Sequence, residues 1–266
     1  MRPSALKRVR ALVMQELFIS RHSLEILFDV LVFPMMNVIL FGFIARFVGS
    51  HSSGVNSQYL ILGVLLWEII TIVQYNMTVS SLWSVWSHNL TNIFIAPTSA
   101  AEYLSAHALA AIARGAVVVG CFSVGTYFAF GFNLLQVGPL NLLLFFINLS
   151  LFAFWVGLVL LGLIFRYGTR IQAIAWGTIF LFQPLTASFF PVSALPGFLQ
   201  AVAFALPPTY IFEAARQAFD NRSLNVRYML IGSVLNLVYF GAAIAIFRFL
   251  FRRSKTTGQF ARNDLG

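Results

Sequence analysis

The residues of this chain that are of a type to do chemistry are few, and the most telling of them lie where charge is expensive. Glu68 sits ten residues into one apolar stretch, and Arg114 sits eleven residues into the next. Ionised side chains at such depth in lipid mark a pathway or a partner. At about 1.5 Å per residue Glu68 is roughly 15 Å below the outer end of its stretch. Arg114, counted from the opposite side, also falls near the midplane. Opposite charges at matched depth on sequential antiparallel helices predict a direct or water-bridged pair. That pair reads either as a polar element beside a transport path or as an ion pair that locks two helices. Glu25 and Asp29, at i, i+4 in the first turns of an earlier stretch, complement a helix N-terminus. His107 and Arg114 are seven residues apart on one helical face. With Glu68 they form the acid–base set that an intramembrane enzyme would use. Glu68 alone would suit an ion-driven carrier, but no internal repeat of the kind such carriers show is evident.

Other chemistries lack their residues. No stretch reads G-x-x-x-x-G-K-[ST], so the sequence has no phosphate-cradling loop of its own. There is no H-E-x-x-H and no G-x-S-x-G run. His22, His51, His88 and His107 are too scattered for a multi-histidine metal site, and the single Cys121 excludes a disulfide framework or a thiolate metal site. No metal and no cofactor is expected on this chain. The Asn-x-Ser/Thr triplets at Asn76, Asn89, Asn148 and Asn221 read as chance.

The elements that must position these residues follow from composition. Of 266 residues, 59% are apolar and only 9% are charged. An average soluble domain carries about 25% charge. So few charges cannot cover a water-facing surface, and so apolar a chain cannot be disordered. An all-α integral membrane protein remains. The net charge of +9 lies in short segments between apolar runs, which suits membrane orientation and anionic lipid rather than nucleic acid.

Six stretches reach the roughly 20 residues that a spanning helix needs. They run from Ser23 to Val48, Gln58 to Leu82, Tyr103 to Phe132, Pro139 to Phe165, Ile171 to Phe190 and Val226 to Leu250. Twelve of the seventeen Lys and Arg residues then fall on one side and four on the other, with Arg114 inside a span. Both termini are therefore expected in the cytoplasm. Residues 1–22 carry charge through Arg21 and have no continuous apolar core, so they do not read as a signal peptide. Leu6, Val9, Val13 and Leu17 make one helical stripe, and a helix lying in the cytoplasmic interface is expected.

Residues 191–219 are too apolar for a solvated loop and too broken for a span. Pro191, Pro196, Pro207 and Pro208 interrupt them, because proline fixes φ and removes a donor. A short helix from Gly197 to Leu206 and a second from Pro208 to Phe219 are predicted, with Glu213 and Arg216 at i, i+3 on the second. Together they suggest a re-entrant hairpin in the outer leaflet, between the fifth and sixth spans.

Three features together resemble the membrane subunit of type-2 ABC exporters, a group that includes drug-resistance, nodulation-factor and polysaccharide export permeases. The first is Phe189-Phe190-Pro191-Val192-Ser193-Ala194-Leu195-Pro196, then Leu206-Pro207-Pro208, then Glu213-Ala214-Ala215-Arg216. The second is Asn89-Leu90-Thr91-Asn92-Ile93-Phe94-Ile95-Ala96-Pro97-Thr98-Ser99, similar to a cytoplasmic coupling segment. The third is the layout as a whole. The coupling segment departs from the family in being uncharged at Trp86-Ser87-His88-Asn89-Leu90. The resemblance implies a single transmembrane domain over 1–266 that pairs with a second copy. It also implies a coupling helix at 84–95, whose Ser87, His88, Asn89, Leu90 and Ile93 meet a separate ATP-binding subunit. ATP and Mg would be bound by that subunit. The hairpin, with Pro191, Pro196, Pro207, Glu213 and Arg216, would gate the outer side, and a hydrophobic, amphiphilic or lipid-linked cargo would leave the cytoplasm or inner leaflet.

Overall fold

The computed structural model describes residues 4–51, 56–86 and 99–256. Ser87, His88, Asn89, Leu90 and Ile93, the coupling residues expected from sequence, lie outside the described residues. Within the described residues every regular element is a helix. Helix α1 runs Ala5–His22 and breaks at extended Ser23. Helix α2 (Leu24–Leu27) passes through a π-helical turn, Phe28–Val32, into α3 (Phe33–His51). The wide turn has a local cause: Pro34 has no N–H for the i→i−4 ladder, and its ring crowds the preceding turn. Helix α4 runs Gln58–Trp86 and α5 runs Ala100–Phe130. Helix α6 (Pro139–Tyr167) starts with proline at its first turn, where a missing N–H costs nothing. A 3-10 turn, Gly168–Ile171, leads into α7 (Gln172–Leu185). Two short helices follow, α8 (Gly197–Phe204) and α9 (Pro207–Asn221), and then α10 (Val226–Thr256).

Five helical stretches are long and apolar enough to cross a membrane: Phe28–His51, Gln58–Trp83, Ala100–Phe130, Pro139–Tyr167 and Val226–Thr256. The expected fifth span, Ile171 to Phe190, is a helix of only 14 residues that ends at Leu185, one residue after the internal Pro184. Helix α4 is the mast of the bundle. Of its membrane-length window 83% is buried, against 22–50% in the other four. It packs on α3, α5, α6 and α7, and α10 closes the far side of α6.

Helix contacts use small residues where backbones come close and polar side chains where register must be fixed. A Cβ on Gly157 of α6 would stand 2.7 Å from the Met77 Cβ of α4. Asn236 of α10 donates to the Asn148 carbonyl at 3.0 Å, Ser233 donates to the Asn148 side-chain oxygen at 2.9 Å, and Trp155 Nε1 donates to Asn236 at 3.2 Å. Asn148 and Asn76, two of the glycosylation triplets, are thus buried helix-pairing residues.

The tightest approach is at Gly63 of α4, where an added Cβ would collide with the Ser188 carbonyl. That neighbour is backbone and has no rotamer to give. Overpacking costs about 1–3 kcal/mol, so Gly63→Ala is expected to lower the thermal midpoint of the detergent-solubilised protein by several degrees. Gly177→Ala, whose Cβ would enter open space, should melt with the wild type. Equal midpoints for the two variants would contradict the contact.

Candidate functional site

Helices α3, α4 and α7 enclose a cavity of about 380 Å³, within the range of small-molecule sites. Its floor is α4, with Trp67 and Glu68 each 1% exposed. Its rim is aromatic: Phe33, Trp176 and Phe180 line it and are 59%, 40% and 63% exposed on the outer surface of the bundle. The Asn37 amide donates to Glu68 Oε1 at 2.9 Å, while buried Glu68 Oε2 has no hydrogen-bond partner among the described residues. The Tyr75 hydroxyl donates to Asp29 Oδ2, so the π-helical turn sets one carboxylate on the cavity wall. Gln74 Nε2 donates to the Ala175 carbonyl at 3.1 Å and ties α4 to α7 across the base.

The expected pairing of Glu68 with Arg114 is not what the structure holds. Arg114 donates to the Asn76 side chain and to the Glu16 backbone carbonyl at 2.6 Å, and it lies 3.4 Å from Glu16 Oε2. His107 is 3.6 Å from Glu16 Oε1. The error is one of depth. Helix α4 has 29 residues, so a position ten residues from its N-terminal end is not its middle. Glu68 is about 27 Å from the C-terminal end of α4 at Trp86, and Arg114 is about 21 Å from the N-terminal end of α5 at Ala100. The antiparallel register, fixed by Tyr103 on Ser81 and Arg114 on Asn76, puts the level of Glu68 opposite position 120 or so. Glu68 thus stands apart from His107 and Arg114, and the acid–base set of the enzyme reading is not assembled.

Helix α1 completes this second polar cluster. Ser99 and Glu102 form a reciprocal capping box at the start of α5. The same Glu102 takes a forked grip from Arg8, at 2.5 Å from Nη2 and 3.2 Å from Nε. Helix α1 therefore follows α5 with Arg8 and Glu16 inward, while Lys7, Arg10 and Arg21 are exposed. Of the expected stripe, Leu6 and Leu17 are exposed, and Val9 and Val13 are half-buried.

At the far end of α4 lies a clamp. Arg216 of α9 donates to the Ala187 carbonyl at 3.1 Å and to Glu213 Oε1 at 3.0 Å, and Glu213 Oε1 also accepts the Val192 N–H at 2.8 Å. Buried Ala187 has φ 49°, a left-handed conformation rare for a residue with a Cβ. Thr209 ties α9 to the last turn of α8 through the Ala203 carbonyl at 2.6 Å. Pro207 is buried at the first turn of α9, Pro191 precedes the 3-10 turn Val192–Ala194, and Pro196 is the N-cap residue of α8. Glu16, Asn37, Asn76 and Tyr75 were missed by sequence reasoning. A polar residue in an apolar span, as Asn37 and Asn76 are, was the available signal.

The fold and the site define a multi-pass helical membrane protein with an intramembrane cavity. The chain belongs to the ABC-2 type transporter family, whose profile matches residues 7–219. It is the membrane-embedded transport subunit, or permease, of an ABC transporter. No curated protein matches it.

The polar cluster gives a sharp expectation. Removing one partner of a buried ion pair costs about 3–5 kcal/mol, because the other charge is left alone. Arg114→Gln and Glu16→Gln should each lower the thermal midpoint, and the double variant should recover part of the loss. The losses from Glu68→Gln and Arg114→Gln should simply add. Recovery in the second cycle but not the first would reverse the assignment.

Proposed function

We propose that this chain is one membrane half of an ATP-driven exporter. Two copies pair, and each seats a separate ATP-binding subunit, which binds the ATP and Mg. Closure of those subunits pushes on the segment between α4 and α5, and the bundle moves its cargo outward from the cytoplasm or inner leaflet. The observation that carries this reading is the family match over residues 7–219. Permeases of this family normally work with a separate ATP-binding subunit.

The same reading gives six crossings with both termini in the cytoplasm of a cell whose inner membrane holds the protein. Support for α7 as the fifth crossing is its length together with the preceding 3-10 turn. The 14 residues of α7 rise about 21 Å, and the four of the turn add about 8 Å, near the 30 Å of a bilayer core. Helices α8 and α9 form the re-entrant hairpin in the outer leaflet, and the Glu213–Arg216 clamp holds it over the exit. The cargo is hydrophobic, amphiphilic or lipid-linked, which suits a cavity whose rim is aromatic.

Cysteines introduced by Ser87→Cys and His88→Cys, with exposed Cys121 replaced, should crosslink to the co-expressed ATP-binding subunit. Labelling of either position from outside intact cells would overturn the topology. For the outer gate, Pro196→Ala and Glu213→Gln should depress transport while the ATP-binding subunit still co-purifies. Loss of co-purification in these variants would instead make the hairpin part of the assembly.

A further inference from the structure

Building on the export reading, we infer that the cavity between α3, α4 and α7 selects lipophilic cations, aromatic or alkyl-bearing molecules with a single delocalised or quaternary positive charge.

Two carboxylates belong to the cavity, Glu68 in its floor and Asp29 on its wall. Among the described residues lining it there is no Lys, Arg or His. The basic groups of the polar cluster do not offset them: Arg114 is engaged by Glu16 and Asn76. Glu68 is the decisive group. It is 1% exposed, and one of its carboxylate oxygens has no hydrogen-bond partner among the described residues. A buried acceptor in that condition is unsatisfied, and a nearby positive charge is the compensation it lacks. Attraction at this site is strong because the surroundings are apolar and water does not screen it.

The remaining chemistry sets the kind of cation. Trp67, Trp176, Phe33 and Phe180 provide aromatic surface, and aromatic faces attract weakly hydrated cations. A small, strongly hydrated ion would need a ring of oxygen ligands. Here the second carboxylate is already held by the Tyr75 hydroxyl, and the first by Asn37. The exposed rim of Phe33 and Phe180 faces outward from the bundle, an entry that suits a molecule arriving from lipid.

The test uses two ions of one shape and opposite charge. The purified full-length chain in detergent is titrated with tetraphenylphosphonium and, separately, with tetraphenylborate. Quenching of tryptophan fluorescence reads binding, since Trp67 and Trp176 both line the cavity. The phosphonium is expected to bind saturably and at least tenfold more tightly than the borate. Glu68→Gln, which keeps an oxygen for the Asn37 amide, should weaken the phosphonium about tenfold. Asp29→Asn, which keeps an oxygen for Tyr75, should weaken it several-fold. Equal affinity for the two ions in the wild type, no saturable binding of either, or unchanged phosphonium affinity in both variants would overturn the inference. ATP-linked transport is a separate measurement. Cation-selective binding without any ATP-linked transport beside the ATP-binding subunit would overturn the export reading and leave this selectivity standing. ATP-driven export confined to neutral or anionic cargo would do the reverse.

Discussion

Helix α4 has almost no side that faces lipid, and that constraint organises the rest of the chain. A spanning helix buried along 83% of its membrane window cannot leave a polar side chain to water or headgroups. Thr71 and Thr78 are met by carbonyls of their own helix, and others reach across and specify where a neighbour lies. Glu68 meets Asn37 of α3, and Tyr75 meets Asp29 just before it. Gln74 meets the α7 backbone at Ala175. Asn76 and Ser81 meet Arg114 and Tyr103 of α5. Apolar packing alone would let helices slide or rotate, because lipid tails are as apolar as leucine. The polar contacts fix the register of three neighbours against one mast.

Helix α1 shows the same rule turned outward. A surface helix in water hides its apolar stripe, whereas this one hides Arg8 and Glu16 and shows Leu6, Met14 and Phe18. Glu102 does two things at once: it caps α5 and holds Arg8. The first turns of α1 and α5 are therefore coupled through one carboxylate, next to the segment that joins α4 to α5.

Much of this was legible in the sequence, because long apolar runs and proline breaks are strong signals. The starts of α4, α6 and α10 fall where hydropathy places them, and α8 and α9 match the two short helices read from the prolines. What was hidden depends on rotation and depth. Hydropathy gives a helix its extent but not the side on which Glu68 points, and a 29-residue helix has no midplane that can be counted from one end. The π-helical turn before Pro34 rotates Asp29 relative to a regular helix, so its place on the cavity wall could not come from i, i+4 counting. Helix α7 stops at Leu185 rather than continuing to Phe190, since Pro184 weakens its last turn and Ala187 turns left-handed.

That early stop links the cavity to the Glu213–Arg216 clamp. Gln183 lines the cavity, and four residues later the Ala187 carbonyl is held by Arg216. Ser188 returns a hydroxyl to the Gln183 carbonyl at 3.0 Å, and its own carbonyl rests on Gly63 of α4. The turn is therefore pinned on three sides: by its own helix end, by the mast and by α9. A buried alanine at positive φ persists only where its surroundings over-determine it, and these three contacts do so. Through Arg216 this turn ties α9 to the end of α7. The cavity wall and helix α9 are thus joined through the five residues 183–187 at the end of α7.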